Sequence, residues 1–344
     1  MQKSDDLRVA VLGVGEMGSL HAKLLSTKIR GASVTVVSDP EQGKARQVAD
    51  AVGARVEVDP FSAIDAQDVD AVVIASPGPA HEAQVMACLE RGKAVLCEKP
   101  LTVEADASYR IAKAEDALGK SLVQVGFMRR FDPEYVKLRQ MIVSEELGPP
   151  LMLHLVHRNV AGPEGFTSEM ALTSAVVHEA DTVRFLLGEE INAVTVHRGT
   201  ATSRAGPGVS DPMLVLFETE SGRLADVEIF MRTGVAYEVR TELVAENGTA
   251  RIGLGANVVT SGPTNRWGGL LASGFVERFG PAYEEELRCW VRAVGTGPPT
   301  GASAWDGYVA QAVCEAGLEA LRTGGRAEVA LLERPSASSR VAPA

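Results

Sequence analysis

A glycine-rich stretch near the start of the chain has residue types and a spacing that could do chemistry. Gly13, Gly15 and Gly18 follow an apolar run with the spacing G-x-G-x-x-G, and Glu16 and Met17 complete the loop. In such a loop one glycine permits a tight turn, a second lets the backbone approach a pyrophosphate, and a third lets helix and strand pack closely. The helix that follows offers free N–H groups and a partial positive charge to phosphate. The loop therefore predicts a dinucleotide-binding site.

An acidic residue at the end of the second predicted strand bears on which dinucleotide is bound. Asp39 lies about 20 residues beyond Gly18, the distance expected for the acid that binds the ribose 2′-hydroxyl. A carboxylate there would repel a 2′-phosphate, so the sequence favours NAD over NADP, although Arg46 could soften that preference. The alternative is that Asp39-Pro40 forms an ordinary strand-to-helix turn.

A lysine and a histidine are the candidates for proton transfer and charge stabilisation. Lys99 ends a predicted strand, which is where doubly wound folds bind ligands, and an ammonium there can stabilise charge on a reacting oxygen. The alternative is an ordinary solvated lysine. His178 lies in an apolar helical context and has the pKa range of a general base, although a core or capping histidine is the alternative. Asp181 follows three residues later and can share its helix face.

Potential metal ligands are scattered along the sequence. His154 and His157 are three residues apart, which on a strand places them on opposite faces, so we expect no shared metal. The chain contains no H-E-x-x-H motif and no cysteine pair. Its 4 cysteines are expected to be buried or free thiols in a reducing compartment.

Composition excludes several classes of protein. The formal net charge of -11 argues against a nucleic-acid or anionic-membrane partner, which would need a basic face. An apolar fraction of 45% and a charged fraction of 23% are typical of a globular protein, and 344 residues suffice for two domains. The polar start is unlike a signal peptide and the apolar runs are too short to span a bilayer, so we expect a cytoplasmic protein without a membrane partner.

The elements that must position these residues alternate over the first part of the chain. Short runs rich in valine predict strands at 7–12, 33–38, 69–75, 94–97 and 121–125. Helical patterns lie between them at 16–26, 41–52, 80–90 and 104–118. This order predicts right-handed crossovers and a doubly wound parallel sheet of the Rossmann type, with a domain at 1–125.

The pattern changes in the remainder of the chain. Helical patterns are predicted at 134–143, 173–187, 284–293 and 304–321. From residue 191 the chain is rich in strand patterns, and consecutive strands are predicted at 213–219, 223–231, 237–245 and 249–254. Strands joined by short turns favour an antiparallel sheet. We therefore predict an α/β fold with a second, α+β domain at 126–333 and a loose Ser/Ala/Pro-rich tail at 334–344.

Three further segments carry a family resemblance. They are Glu98-Lys99-Pro100, the segment 126–132 (GFMRRFD) and the segment 177–181 (VHEAD). With the glycine loop, they resemble the glucose-fructose oxidoreductase / inositol dehydrogenase family over almost the whole chain. Segments 76–82, 122–132, 150–152, 157–159 and 304–308 resemble its inositol dehydrogenase branch in particular. The resemblance implies a Rossmann domain followed by a domain with an open, mostly antiparallel sheet, and often a cis Lys99–Pro100 bond.

The resemblance also implies an activity and a set of site residues. The activity is NAD-dependent oxidation of a secondary hydroxyl of a polyol such as myo-inositol to a ketone, with Lys99 contacting the reacting hydroxyl and His178 as general base. Residues that would line the polyol pocket are Arg129, His157, Asn159, Ser174, Asp181, Tyr237 and Tyr283. Those that would border the cofactor are Ser76, Pro77, His81, Glu98 and Lys99. A homotetramer formed by paired sheet faces is also implied.

One position departs from the pattern of many relatives. Ser174 stands where they carry an aspartate, one helical turn before His178, and a serine supplies no negative charge. Either His178 works without a carboxylate, or the substrate is another cyclitol, an aminocyclitol or a sugar. A non-catalytic NAD-binding sensor and an enzyme that retains its cofactor for internal redox chemistry are the remaining alternatives.

Overall fold

The computed structural model describes residues 6–253, 260–261, 267–268 and 271–335. These residues form two compact units. The first comprises the described parts of Met1–Phe131, Pro281–Gln311 and Leu331–Ala344, and the second comprises those of Asp132–Gly280 and Ala312–Ala330. The domain boundary that the sequence suggests between residues 125 and 126 stays a prediction. Of the predicted tail, residues 336–344 lie outside the described residues.

The first unit is built on a six-stranded sheet in which every neighbouring pair is parallel. Its strands are β1 (Leu7–Leu12), β2 (Ala32–Ser38), β3 (Arg55–Glu57), β4 (Ala71–Ile74), β5 (Ala94–Glu98) and β6 (Val123–Gly126), in the order β3-β2-β1-β4-β5-β6. All residues of β4 and β5 are buried, as strands covered on both faces should be. The predicted Rossmann sheet is therefore confirmed.

Helices follow the strands of this sheet as the alternating pattern requires. They are α1 (Glu16–Thr27), α2 (Gln42–Val52), α3 (Pro60–Asp65), α4 (His81–Glu90) and α5 (Ala105–Leu118). Gly53 and Gly119 adopt left-handed conformations where α2 and α5 end, which glycine does at no steric cost. The helix α3 and the strand β3 were not predicted, because both are short and partly polar.

The second unit is built on a seven-stranded sheet in the order β12-β11-β7-β10-β9-β8-β15. Its strands are β7 (Pro150–Arg158), β8 (Ile191–Arg198), β9 (Met213–Thr219), β10 (Leu224–Phe230), β11 (Glu238–Ala245), β12 (Gly248–Ile252) and β15 (Arg326–Glu328). Only the pair β7–β10 is parallel among these strands, which confirms a mostly antiparallel sheet. A separate two-stranded ribbon pairs β13 (Thr260–Ser261) with β14 (Trp267–Gly268). Leu254, the last residue of a predicted strand, lies outside the described residues.

The faces of the seven-stranded sheet differ in burial. On β10, Ala225, Val227 and Ile229 are buried, whereas Asp226 and Glu228 are half-buried on the opposite face. The same alternation runs along β9 and β11. One face therefore belongs to the core, and the other carries polar and apolar side chains that are only partly covered.

The helical segment that precedes β8 has three parts. These are α7 (Ser168–Met170), a π-helical stretch Ala171–Val176 and α8 (Val177–Leu187). The Thr167 side chain accepts a hydrogen bond from the Met170 amide and caps the start. The predicted helix at 173–187 is thus present, but its first four residues are π-helical, a geometry frequent at functional sites.

The remaining helices are α6 (Pro133–Val143), α9 (Phe275–Ala293) and α10 (Ala304–Thr323). Asp132 caps α6 by accepting hydrogen bonds from the amides of Glu134 and Tyr135. In the part of the chain that the structure describes, no helix is both long and apolar enough to cross a bilayer.

Candidate functional site

The glycine loop of the first unit is shaped by close backbone contacts. Gly13 has a φ of 79°, and a Cβ there would lie 2.6 Å from the backbone of Ser76. A Cβ on Gly18 would overlap the carbonyl oxygen of Gly13, so the start of α1 packs directly against the loop. These two glycines serve the turn and the helix–strand contact that the spacing predicts.

Gly15 has a different environment. It is the N-cap of α1, and no described atom lies within 4 Å of the position that its Cβ would take. The exposed Glu16 and the half-buried Met17 begin the 12-residue helix, and among the described residues no side chain caps it. Open space above uncapped amides, at the positive end of a helix dipole, fits the pyrophosphate of a dinucleotide.

Asp39 follows β2 and contacts the same loop. Its Oδ2 accepts a hydrogen bond from the Val14 amide at 2.8 Å, and its Oδ1 accepts one from the Glu41 amide at 2.8 Å. The carboxylate is half-buried, and its two oxygens together offer about four acceptor sites. Asp39 therefore joins the loop to the end of β2 and has acceptor capacity left for ribose hydroxyls.

Ser76, Pro77 and His81 lie in the segment that follows β4. The Ser76 hydroxyl bonds to the Gln84 side chain at 2.7 Å, and Pro77 is exposed. The buried His81 ring has Nε2 2.7 Å from the Ser76 carbonyl and Nδ1 2.9 Å from the Pro100 carbonyl. His81 thus links the end of β4 to the segment that contains Lys99.

Lys99 directly follows β5 and is half-buried, and its peptide bond to Pro100 is cis. The Glu98 side chain is buried, and its Oε2 accepts a hydrogen bond from the backbone N–H of Lys99 at 3.2 Å. Its Oε1 lies 2.7 Å from Nε2 of His21 on α1. Sequence reasoning missed His21, and the only signal for it was its place on the buried face of α1 three residues after Gly18.

Two predicted pocket residues belong to the first unit and are buried. Arg129 lies in a 3-10 turn, Met128–Phe131, that follows β6. Tyr283 lies in α9, where its ring meets the His21 ring edge-on with centroids 6.1 Å apart.

In the second unit, β7 and α8 bring several predicted residues together. The rings of His157 on β7 and His178 on α8 have centroids 6.4 Å apart. The Tyr237 ring stands edge-on to His157 at 6.0 Å. Nδ1 of His157 lies 3.0 Å from Oε1 of Glu179. All four side chains are buried, so they form one cluster of polar and aromatic groups. Glu179 was not singled out from the sequence.

The other predicted residues of this unit flank the cluster. Asp181 is buried on α8. Asn159 follows β7, and its backbone N–H donates a hydrogen bond to the Phe230 carbonyl at 2.9 Å. Ser174 is exposed within the π-helical stretch, and its hydroxyl donates to the Met170 carbonyl at 2.5 Å. Its hydroxyl is thus engaged with the backbone of its own helix.

His154 and His157 lie on opposite faces of β7, as their spacing predicts. Whereas His157 contacts Glu179, His154 is half-exposed with its Nδ1 2.5 Å from Oδ2 of Asp226 on β10. Within residues 6–253 and the described remainder, no group of three or more His, Cys, Asp or Glu side chains is placed to hold a metal ion.

A parallel sheet in this strand order, a glycine loop before α1 and an acid after β2 define a dinucleotide-binding protein of the Rossmann class. Residues 7–127 match the model of an oxidoreductase family with an NAD-binding Rossmann fold, and residues 135–251 match the GFO/IDH/MocA C-terminal domain. The chain belongs to this GFO/IDH/MocA family of NAD-binding oxidoreductases.

Individual relatives are similar over nearly the whole chain. Inositol 2-dehydrogenase from Rhodococcus erythropolis is 54% identical, over 98% of this chain and 99% of the relative. The enzyme of that name from Mycolicibacterium smegmatis is 51% identical, over 96% and 98%. The crystal structure of myo-inositol dehydrogenase from Lactobacillus casei, in complex with NAD(H) and myo-inositol, matches with a TM-score of 0.92 and 28% identity, covering 96% of this chain and 99% of that chain.

Proposed function

We propose that this oxidoreductase uses NAD to oxidise a secondary ring hydroxyl of myo-inositol, or of a closely related cyclitol, to a ketone. The observation that carries the proposal is the 54% identity to an inositol 2-dehydrogenase over 98% of the chain. The chain also has both groups that the chemistry requires, a half-buried lysine after β5 and a buried histidine on α8. The presence of both argues against a non-catalytic sensor.

Each of the two groups has one role in this proposal. His178 removes the proton from the hydroxyl, because a neutral imidazole is the strongest base that is available in quantity near neutral pH. Lys99 donates a hydrogen bond to the same oxygen and stabilises the negative charge that develops on it. The bound nicotinamide ring supplies the hydride acceptor.

The remaining predicted residues bind and orient in this proposal. The loop of Gly13, Gly15 and Gly18 shapes the pyrophosphate site, the uncapped amides at the start of α1 bind the pyrophosphate, and Asp39 binds the adenosine ribose. Glu16, Met17, Ser76, Pro77, His81 and Glu98 border the cofactor. Arg129, His157, Asn159, Ser174, Asp181, Tyr237 and Tyr283 are the proposed polyol ligands. These polar side chains can donate to and accept from hydroxyl groups, as recognition of a polyol requires.

The test is a substrate panel with NAD and NADP in parallel. Purified protein is incubated with myo-inositol, scyllo-inositol and glucose, and reduced cofactor is followed by its absorbance. We expect turnover with myo-inositol and NAD at a kcat/KM well above that with glucose or NADP. Absence of turnover with every cyclitol would contradict the proposed substrate class.

One observation favours a second candidate substrate. The Ser174 hydroxyl bonds to its own helix backbone, and this position lacks the carboxylate that many relatives carry. A substrate that brings a different group to this position, such as an aminocyclitol or a sugar, is therefore the alternative. Adding aminocyclitols to the panel separates the two candidates by their kcat/KM values.

A homotetramer is the proposed assembly, formed through the partly covered face of the seven-stranded sheet. On that face Leu214 and Leu216 of β9 stand beside Asp226 and Glu228 of β10. The exposed Leu214 and half-buried Leu216 give this face apolar surface that a second copy of the chain can bury. Light scattering should give about four times the chain mass of 36.4 kDa. Location in the cytoplasm stays a prediction from the sequence.

A further inference from the structure

Glu179 is a buried carboxylate with a specific partner. Its side chain is 1% exposed, that of His157 is 5% exposed, and Oε1 lies 3.0 Å from Nδ1 of the imidazole. Helix α8 supplies the carboxylate and strand β7 supplies the imidazole, so the bond joins two elements across the core of the second unit. Burial of a carboxylate costs free energy unless hydrogen bonds compensate for it, so the pair needs an explanation.

The charge state of Glu179 decides where the proton of the bond lies. An ionised Glu179 only accepts hydrogen bonds, which places the proton on Nδ1 of His157. In a neutral imidazole one nitrogen donates and the other accepts, which makes Nε2 of His157 an acceptor. A polyol hydroxyl that contacts Nε2 must then donate a hydrogen bond to this nitrogen.

Neighbouring rings hold the imidazole in this orientation. The Tyr237 ring stands edge-on to His157 with an interplanar angle of 81°, and the Phe279 ring stands edge-on to Tyr237 in turn. The His178 ring is tilted by 54° to that of His157. Rotation of His157 would have to break the bond to Glu179 inside a packed cluster.

We propose that Glu179 is a positioning residue, which keeps the proton of His157 on Nδ1 and thereby makes Nε2 the acceptor for one hydroxyl of the substrate. This inference rests on the proposed function, because it assumes that His157 binds the polyol. Glu179 acts through His157 and does not itself contact substrate. Loss of Glu179 therefore weakens substrate binding and leaves cofactor binding unchanged.

The experiment is a double-mutant cycle with Glu179→Gln, His157→Gln and the double variant. We expect Glu179→Gln to raise KM for the best polyol of the panel about tenfold, the effect of one lost hydrogen bond, with a smaller change in kcat and no change in KM for NAD. In the His157→Gln background the same substitution should have no further effect on KM. Additive effects, or an unchanged KM in Glu179→Gln, would overturn the proposal.

Glu190→Gln is the matched control. Glu190 follows α8 and forms an ion pair with Arg184 of that helix, so this variant also replaces a carboxylate that holds α8. We expect it to leave KM for the polyol unchanged. An equal rise in KM for both variants would show that Glu179 only stabilises α8, and would overturn the positioning role.

A spectroscopic readout separates this inference from the proposed function. Imidazole nitrogens labelled with ¹⁵N report their protonation, and the signal that disappears in His157→Gln assigns His157. We expect a protonated Nδ1 in wild type and a mixture of tautomers in Glu179→Gln. A proton on Nε2 in wild type would refute the positioning role, whereas absence of cyclitol turnover would refute only the substrate.

Discussion

Nε2 of His21 and Oε1 of Glu98 lie 2.7 Å apart in the interior of the Rossmann unit, with side chains that are 0% and 9% exposed. His21 belongs to the helix that begins at the glycine loop, and Glu98 immediately precedes Lys99. The second oxygen of Glu98 accepts a hydrogen bond from the backbone N–H of Lys99. One carboxylate therefore connects the proposed pyrophosphate-binding helix to the backbone of the proposed catalytic lysine.

His21→Ala should destabilise the protein substantially. It removes a buried hydrogen-bond partner of the Glu98 carboxyl group, and leaving a buried polar group without its partner costs about 2 kcal/mol or more. Urea unfolding measures the change in the free energy of unfolding. The matched control is His154→Ala, which breaks the half-exposed pair with Asp226 and should cost less than about 1 kcal/mol. Equal losses in the two variants would contradict this account of burial.

Lys99→Ala should abolish most of the turnover and weaken NAD binding far less, because Lys99 borders the cofactor but acts on the reacting oxygen. The variant lacks the donor to the reacting oxygen, and removal of one such donor lowers kcat by about 10²- to 10³-fold. Steady-state kinetics and a titration with NAD measure the two quantities. Lys113→Ala, at an exposed position of α5, is the control and should keep the wild-type kcat. Full turnover in Lys99→Ala would refute the proposed role.

Asp39→Asn should shift the cofactor preference toward NADP. The amide removes the charge that repels a 2′-phosphate and weakens the charge-assisted bond to the ribose, so the ratio of kcat/KM for NAD to that for NADP should fall about tenfold or more. Asp59→Asn is a matched control, since Asp59 likewise accepts hydrogen bonds from two backbone amides, those of Phe61 and Ser62. An unchanged ratio in Asp39→Asn would argue against contact with the ribose.

Glu115 should make the stability of the fold depend on pH. Burial within α5 raises the pKa of its carboxyl from 4.5 to about 7, although the amides of Leu122 and Val123 donate to it. Between these two pH values the folded state holds a proton that the unfolded chain releases. The free energy of unfolding should therefore fall as pH rises, by up to about 1.4 kcal/mol per unit.

The variant Glu115→Gln isolates this contribution. Its amide oxygen can still accept from the two backbone N–H groups but carries no charge to desolvate. We expect Glu115→Gln to exceed wild type in stability at pH 8 and to lose that advantage near pH 4.5, measured by urea unfolding at both values. Asp106→Asn, at an exposed position in the first turn of α5, is the control and should not exceed wild type in stability at pH 8, because an exposed carboxylate there has no burial cost. A stability difference that is the same at both pH values would contradict the raised pKa.

Most of the Rossmann sheet could be predicted because its longer strands are runs dominated by apolar residues. The run at 7–12 is such a strand, whereas β3 (Arg55–Glu57) was missed because it is three residues long with two charged side chains at the sheet edge. The π-helical stretch Ala171–Val176 was predicted as part of an ordinary helix, because the difference lies in backbone hydrogen bonds that a side-chain pattern does not encode.

Individual site residues were predictable only where a motif marked them. Lys99 and His178 were identified from the segments that contain them, but Glu179 and His21 were not. A charged residue in a helix ordinarily faces solvent, and nothing local shows that it is buried. Their partners, His157 and Glu98, are 22 and 77 residues away in sequence, so the pairs exist only once the sheet and helices have packed.

The three loop glycines are under different kinds of evolutionary constraint. At Gly13 and Gly18 the chain's own backbone excludes a side chain, so any lineage that keeps this fold must keep those glycines. At Gly15 the φ is -63° and no described atom occupies the space of a Cβ, so folding alone would tolerate alanine. A requirement for glycine at position 15 would therefore come from the bound cofactor and not from the fold. A descendant that lost its need for NAD would be free to change Gly15 first.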